Sequence, residues 1–481
     1  TRGAPQRFTF LQAVKAGLAP DGGLLVPQFI PFITIKTLEE WRNLSYSELS
    51  FQVLRLFIGV DEVSDSELNG VIGKSLSKFP EEPVKIADAG GVAVLELFHG
   101  PTLAFKDFAL QFLGALFEII LSKDRSSMNV VVATSGDTGS AAIVGLQDNP
   151  RIKTFVLFPH KGISNMQERQ MTCNISDNVY PIAVTGTFDD AQSALKAMFA
   201  SGRIPNLTAV NSVNWARIAV QIVYYFYAYF KISGDNHTKL VFAVPTGNFG
   251  DVLAGWYAKR MGLPIERLIV ATNDNNILEE FFINGRYERR DELVQTVAPS
   301  MDIQVASNFE RLLYYLVDEN SDEVKKLMKQ FNTENFFLVE PNVLVRASRE
   351  FSALHVRSER IKQTIRQVYE QYGYLMDPHT AIGFNGASLA PNSKVVVLST
   401  AHHGKFLETV QEAVGTTLTL PSQLQDLQNL PQRFEVLGKD LYTLESYILK
   451  RVSKGWNPGW KWGAMAVLSS AASYFVYTRF A

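Results

Sequence analysis

Lys106 is a lone lysine in the apolar run Leu103-Ala-Phe-Lys-Asp-Phe-Ala-Leu110, directly after His99-Gly-Pro-Thr102. Lysine is rarely fully buried, because stripping water from an ammonium is costly. From Leu103 to Ile120 the only other charges are Asp107 and Glu118, so the segment reads as a mostly buried helix. Thr102 is the expected N-cap, which sets Lys106 in the first turns, at the positive end of the helix dipole. Burial and dipole both lower an amine's pKa. A neutral amine in a dry pocket is what Schiff-base chemistry with a carbonyl requires. The competing reading, and the default for an isolated lysine, is a side chain that snorkels to solvent.

Two glycine loops bear on that choice. Thr134-Ser-Gly-Asp-Thr-Gly-Ser140 follows a Val-rich strand and precedes an alanine-rich helix, and Pro245-Thr-Gly-Asn-Phe-Gly-Asp251 has the same setting. Glycines let backbone approach a ligand closely, and successive N–H groups at a helix start face an anion. Neither loop fits the dinucleotide fingerprint or the Walker A loop, and either alone is also ordinary strand-to-helix punctuation.

The elements that must position these residues alternate. Strands are predicted at 128–134, 153–158, 179–184, 207–210, 239–244, 267–272 and 394–399, several of them continuous Val/Ile/Phe runs of the kind buried on both faces of a parallel sheet. Helices are predicted at 107–122, 138–147, 189–200, 214–232, 249–261 and 310–317, with a charged, mostly helical stretch from Asp318 to Tyr372. The alternation argues for an α/β architecture, in which ligands sit beyond the carboxyl ends of the strands.

The 481 residues allow two to three domains. A net charge of −2 with interspersed signs gives no basic stripe for nucleic acid and no polybasic arm for an anionic membrane. The single cysteine, Cys173, precludes an intrachain disulfide, favours a reducing compartment, and reads as a helix or helix-end residue. No histidine or cysteine spacing supports a zinc site, and the adjacent His402 and His403 would point apart in an extended segment. Asp137-Thr-Gly139 lacks the second triplet that an aspartic protease needs. Thr1 in place of methionine suggests a trimmed start. Residues 463–477 form a fifteen-residue uncharged run between Lys461 and Arg479. Its aromatic ends suit membrane contact by the C-terminal tail, but it is short of the ~20 residues that span a bilayer, and a docked C-terminal helix or a gene-model artefact is the preferred reading.

Taken together, His99-Gly-Pro-Thr-Leu-Ala-Phe-Lys-Asp107, Thr134-Ser-Gly-Asp-Thr-Gly-Ser-Ala-Ala142, Asn211-Ser-Val-Asn-Trp-Ala-Arg217, Thr246-Gly-Asn-Phe-Gly-Asp251 and Leu398-Ser-Thr-Ala-His402 closely resemble the motifs of the threonine synthase family, in its order. Ala19-Pro-Asp-Gly-Gly-Leu-Leu-Val-Pro27 resembles the start of that family. The likeness covers about residues 1–450 and is strongest to the fungal, yeast-like branch. It implies an α/β fold of the tryptophan-synthase β-subunit-like class (pyridoxal-phosphate fold type II), with parallel-rich sheets flanked by helices and an N-terminal extension domain. The expected division is 1–95, 96–235 (lysine and substrate loop), 236–430 (cofactor phosphate) and 431–481.

The same resemblance implies the cofactor pyridoxal 5'-phosphate and conversion of O-phospho-L-homoserine and water to L-threonine and phosphate, in the cytoplasm, by a monomer or homodimer. Lys106 matches the Schiff-base lysine. Gly247, Asn248, Phe249, Gly250 and Asp251 match the loop cradling the cofactor phosphate, and Thr400 the residue facing the pyridine nitrogen. Thr134, Ser135, Gly136, Asp137 and Thr138 match the loop that receives the substrate carboxylate. Lys161 and Arg217 are the candidates for the departing phosphate, and Asn214, in the motif that holds Arg217, joins the substrate-binding set. The alternatives are a threonine-synthase-like phospholyase that releases 2-oxobutyrate, and a non-catalytic homologue tethered by its tail.

Overall fold

The computed structural model describes residues 1–147, 149–173 and 175–453; the apolar tail at 463–477 lies outside them. The strands among these residues are β1 (Lys85–Ala89), β2 (Val92–Glu96), β3 (Met128–Ala133), β4 (Ile152–Pro159), β5 (Val179–Thr185), β6 (Leu207–Ala209), β7 (Leu240–Pro245), β8 (Ile265–Thr272), β9 (Arg286–Glu288), β10 (Phe336–Leu338), β11 (Phe351–His355), β12 (Lys394–Ser399) and β13 (Glu435–Gly438).

Two sheets organise the molecule. The larger has the order β1-β2-β12-β7-β8-β11 and the smaller β13-β5-β4-β3-β6. All pairs in the smaller sheet are parallel, as are those of the larger apart from the β1–β2 hairpin. Every residue of β3 and β7 is buried, the pattern of a strand covered by helices on both faces. The hairpin turns through Gly90 and Gly91, both at positive φ, as a two-residue turn between right-twisted strands requires.

Strand pairing crosses the expected domain bounds. Residues 85–96 belong to the larger sheet, and β13, from the C-terminal segment, completes the smaller one against β5. The stretch 318–372 also contains β10 and β11, so it is less helical than its charge suggests. The N-terminal helices, including Tyr46–Arg55 and Asp65–Leu76, share one hydrophobic core with the helices Lys106–Lys123 and Trp215–Ser233. Trp215–Ser233 is buried around almost its whole circumference, which suits a helix between two layers.

One contact fixes where Lys106 lies. The helices Lys106–Lys123 and Asp137–Leu146 meet backbone to backbone at Gly114 and Gly145, where a Cβ on Gly114 would fall 2.0 Å from the Gly145 carbonyl oxygen. That approach brings the starts of the two helices, and hence Lys106 and Asp137, together. Gly114→Ala should therefore destabilise the protein by about 3 kcal/mol, at the upper end for overpacking, and weaken cofactor retention; equilibrium urea unfolding measures the first and absorbance after dialysis the second.

Candidate active site

Lys106 is the first residue of its helix, but Thr102 is not the cap: Phe105 precedes the helix without a side-chain bond to it. Thr102 instead donates its N–H (2.9 Å) and hydroxyl (2.8 Å) to the Asp107 carboxylate. The aspartate reaches back and takes Thr102 out of capping. Lys106 is 8% exposed, so it does not snorkel. Burial lowers its pKa, the Asp137 carboxylate opposes that shift, and the charges of Arg217 and Lys405 reinforce it.

Asp137 Oδ2 lies 3.4 Å from Lys106 Nζ, and Oδ1 lies 3.0 Å from Lys405 Nζ. Gln167 Nε2 donates to Oδ1 at 3.0 Å, and the Ser300 hydroxyl to Oδ2 at 3.2 Å. Burial alone would raise Asp137, but the two ammonium groups and the amide outweigh it and hold the carboxyl well below the usual range. Lys405 and His379 are both buried here. His379 Nδ1 lies 2.6 Å from Asp377 Oδ1, while Nε2 accepts the Ser300 backbone N–H at 3.2 Å, so the proton belongs on Nδ1.

The second glycine loop closes the other side of the pocket, whose wall includes Lys106, Gly247, Asn248, Phe249, Gly250, Asp251, His379 and Thr400. Phe249 has φ +65, a left-handed conformation held by its ring, which packs on Phe309 and Phe351. Asn248 Oδ1 accepts from the Gly250 N–H at 3.1 Å, and its carbonyl accepts from Asn308. The N–H groups of Gly247, Asn248 and Phe249 meet no acceptor among the described residues. Three free amides at the start of the helix Gly250–Arg260 form a cradle for a phosphate. The Asp251 carboxylate turns away to the hydroxyls of Tyr224 (2.6 Å) and Tyr225 (2.9 Å). An amine, an amide cradle and the Thr400 residue in the wall of one pocket suit pyridoxal phosphate, whose carbonyl, phosphate and ring nitrogen need three such partners.

The remaining predicted residues separate. Thr134 Oγ1 accepts from the Gly136 and Gly139 N–H groups at 2.9 Å each and so shapes its own loop. Ser135 and the exposed Lys161 line a neighbouring cleft of about 830 Å³. Thr138 is half-buried in the first turn of its helix. Arg217 is buried, bonds the Val210 carbonyl at 3.1 Å, and is lowered to about 10 by burial. Asn214 is engaged structurally: its oxygen caps Ala216, and its amide nitrogen donates to the carbonyls of Val14 (2.8 Å) and Ala209. The rings of His402 and His403 do not diverge but lie 4.1 Å apart, because His402 caps a 3-10 turn. Cys173 ends its helix, as expected.

Comparison with known proteins agrees with this geometry. Residues 1–76 match a model described as "Threonine synthase N terminus", 89–343 "Pyridoxal-phosphate dependent enzyme", and 380–448 "Threonine synthase, C-terminal". The threonine synthase of Pseudomonas aeruginosa is 42% identical over 95% of this chain and 98% of its own. The chain belongs to the threonine synthase family. The Saccharomyces cerevisiae threonine synthase is 39% identical, covering 94% of this chain and 97% of its own. A crystal structure of "PLP bound" threonine synthase from Brucella melitensis superimposes with a TM-score of 0.88 at 40% identity, covering 94% and 98% of the two chains. The fold is that of a pyridoxal-phosphate-dependent threonine synthase family member, and no helix among the described residues is long and apolar enough to cross a membrane.

Within this family fold, Lys405, His379, Ser300 and Gln167 were not singled out from sequence. The available signals were Asp377-Pro-His379, which has the form of a helix start, and Ser164-Asn-Met-Gln167, a capping box whose glutamine also reaches Asp137.

Burial raises the Asp251 carboxyl to about 6 despite its two tyrosine donors. Its folded value lies above the unfolded value of 3.8, so the stability it contributes is present below 3.8 and is lost as pH rises through about 6. Asp251→Asn removes this dependence. In cofactor-free protein the variant should gain about 3 kcal/mol relative to wild type between about pH 4 and about pH 7; urea unfolding across that range checks it.

Proposed function

We propose that the protein converts O-phospho-L-homoserine and water to L-threonine and phosphate in the cytoplasm. The observation that carries the reading is Lys106, buried in the same pocket wall as a phosphate cradle, in a chain whose relatives are threonine synthases over nearly their full length. When bound, pyridoxal phosphate supplies an electron sink at the substrate's amine-bearing carbon. The free N–H groups of Gly247, Asn248 and Phe249 hold its phosphate; Gly250, its N–H taken by Asn248, starts the helix behind them, and the Asp251 side chain braces that helix against Tyr224 and Tyr225. Thr400 offers the ring nitrogen a neutral hydroxyl, which moderates the sink.

The reaction needs protons removed from Cα and Cβ, delivered to Cγ once phosphate has left, and returned to Cα. A tethered amine of lowered pKa reaches all of these atoms in turn, so Lys106 is the shuttle. The loop Thr134–Thr138, at the start of the helix Asp137–Leu146, receives the substrate carboxylate. Lys161 and Arg217 supply positive charge toward the departing phosphate, Lys161 from the cleft and Arg217 through its field. Asn214 fixes the helix that carries Arg217.

Purified protein incubated with O-phospho-L-homoserine should release threonine and phosphate in equal amounts. Release of 2-oxobutyrate and ammonia with the phosphate, and no threonine, would favour the lyase alternative; the rat protein named threonine synthase-like 2 is 34% identical over 90% of this chain. Lys106→Ala should lower turnover by more than about ten-thousandfold, beyond the contribution usual for a single proton-transfer group, because the lysine has two roles.

A further inference from the structure

Arg311 has no task in the reaction as drawn above, yet it is among the largest side chains that the fold buries completely. Its guanidinium donates to the carbonyls of Leu25 at 2.9 Å and Val213 at 2.6 Å, and to Asn308 Oδ1 at 2.5 Å. All three acceptors are uncharged. The adjacent Glu310 is turned to Arg2, which bonds both of its carboxylate oxygens, and Arg311 joins no ion pair among the described residues. An unpaired buried cation is costly, and the cost falls when an anion binds close by. Asn308 points to where that anion belongs. It stands at the start of the helix Phe309–Leu316, where an asparagine ordinarily caps its own helix, but its side chain makes no capping bond. One end of the amide takes Arg311, and the other donates to the Asn248 carbonyl at 3.2 Å, which also accepts the Asn308 N–H at 3.0 Å.

The Asn248–Phe249 peptide is trans, and in a trans peptide the carbonyl and the following N–H point in opposite directions. Two donors on the Asn248 carbonyl therefore aim the Phe249 N–H away from Asn308, and that N–H is one of the three free amides of the cradle. We propose that Arg311 is a positioning residue for the cofactor phosphate: through Asn308 it holds the Asn248–Phe249 peptide in its anion-facing orientation, and its unpaired charge answers the phosphate that the cradle binds. Asn308 is the polarised link, its oxygen toward the guanidinium and its N–H groups toward the loop. In a buried setting the charge acts across that link with little screening by salt. Arg311 also fastens Leu25 and Val213, so it ties the N-terminal segment and the motif that carries Arg217 to the same loop. The inference requires pyridoxal phosphate but no particular substrate.

The test is titration of the cofactor-stripped full chain with pyridoxal phosphate and with pyridoxal, which can join Lys106 but carries no phosphate, followed by cofactor absorbance. Arg311→Gln should bind pyridoxal phosphate about tenfold or more weakly than wild type, the scale of one charge-assisted interaction, and pyridoxal no more weakly. Equal losses for the two ligands, as a merely structural stitch would give, or no loss for pyridoxal phosphate, overturn the assignment. Asn308→Ala spares the bonds to Leu25 and Val213, so it should show the same selective loss even where Arg311→Gln fails to fold; undiminished binding of pyridoxal phosphate by Asn308→Ala overturns the link. Phosphorus-31 NMR of the bound cofactor reads the charge itself. Losing a cation disfavours the phosphate dianion, so in Arg311→Gln the phosphate should take up its proton at a pH about one higher than in wild type. Arg311→Lys keeps the charge and should restore the wild-type titration. A titration unchanged in Arg311→Gln, or shifted as far in Arg311→Lys, overturns the role of the charge. Neither readout uses turnover, so absence of threonine formation would bear on the proposed reaction and not on Arg311.

Discussion

Two lysine side chains and one aspartate share a space from which water is excluded, and the architecture around them is a response to that. Lys106, Lys405 and Asp137 are each less than a tenth exposed. Removing such charges from water costs several kcal/mol per ion, which mutual attraction offsets only with close geometry and further hydrogen bonds. Here Gln167, Ser300 and the Thr102 carbonyl supply them. Two cations against one carboxylate still leave an excess of positive charge, with the buried Arg217 adding to it. The strain falls on the lysine able to shed its proton, and a deprotonated amine is what carbonyl chemistry uses.

The scaffold serves this cluster from both sheets. The smaller sheet delivers Asp137 at the end of β3, and the larger delivers the amide cradle at the end of β7 and Thr400 at the end of β12. All three positions follow the carboxyl ends of parallel strands, where helix starts converge. The helix that begins with Lys106 lies between, locked against the helix of Asp137 by the glycine contact at 114 and 145. Packing far from the chemistry thus sets the few ångströms that matter within it.

Much of this was legible in the sequence. The seven expected strands and six expected helices all form, with ends within about two residues, because continuous apolar runs and helical periodicity are strong local signals. The β1–β2 hairpin was missed although Gly90-Gly91 marks its turn, since its strands are short and β1 is half-charged. β11 was missed because Phe351–His355 sits in a polar stretch and gains its strand character from pairing with β8. Among the site residues, Lys106 and the two loops carried local signals. Thr102 misled because a threonine before a helix usually caps it, and only the fold reveals the competing Asp107. Asn214 lies in a motif that reads as functional, yet its bonds go to Val14 and Ala209. Lys405 is anonymous in sequence because its partners Thr102 and Asp137 lie more than two hundred residues away, and His379 because Ser300, the residue it orients, lies 79 residues away.

The central claim is that the amine of Lys106 is the group that joins the cofactor. Borohydride reduction of the protein in the presence of pyridoxal phosphate, followed by proteolysis and mass spectrometry, tests it directly. The account predicts a single phosphopyridoxyl adduct, on the peptide containing Lys106. An adduct on Lys405 or Lys161 with Lys106 unmodified, or no adduct at all, would contradict it.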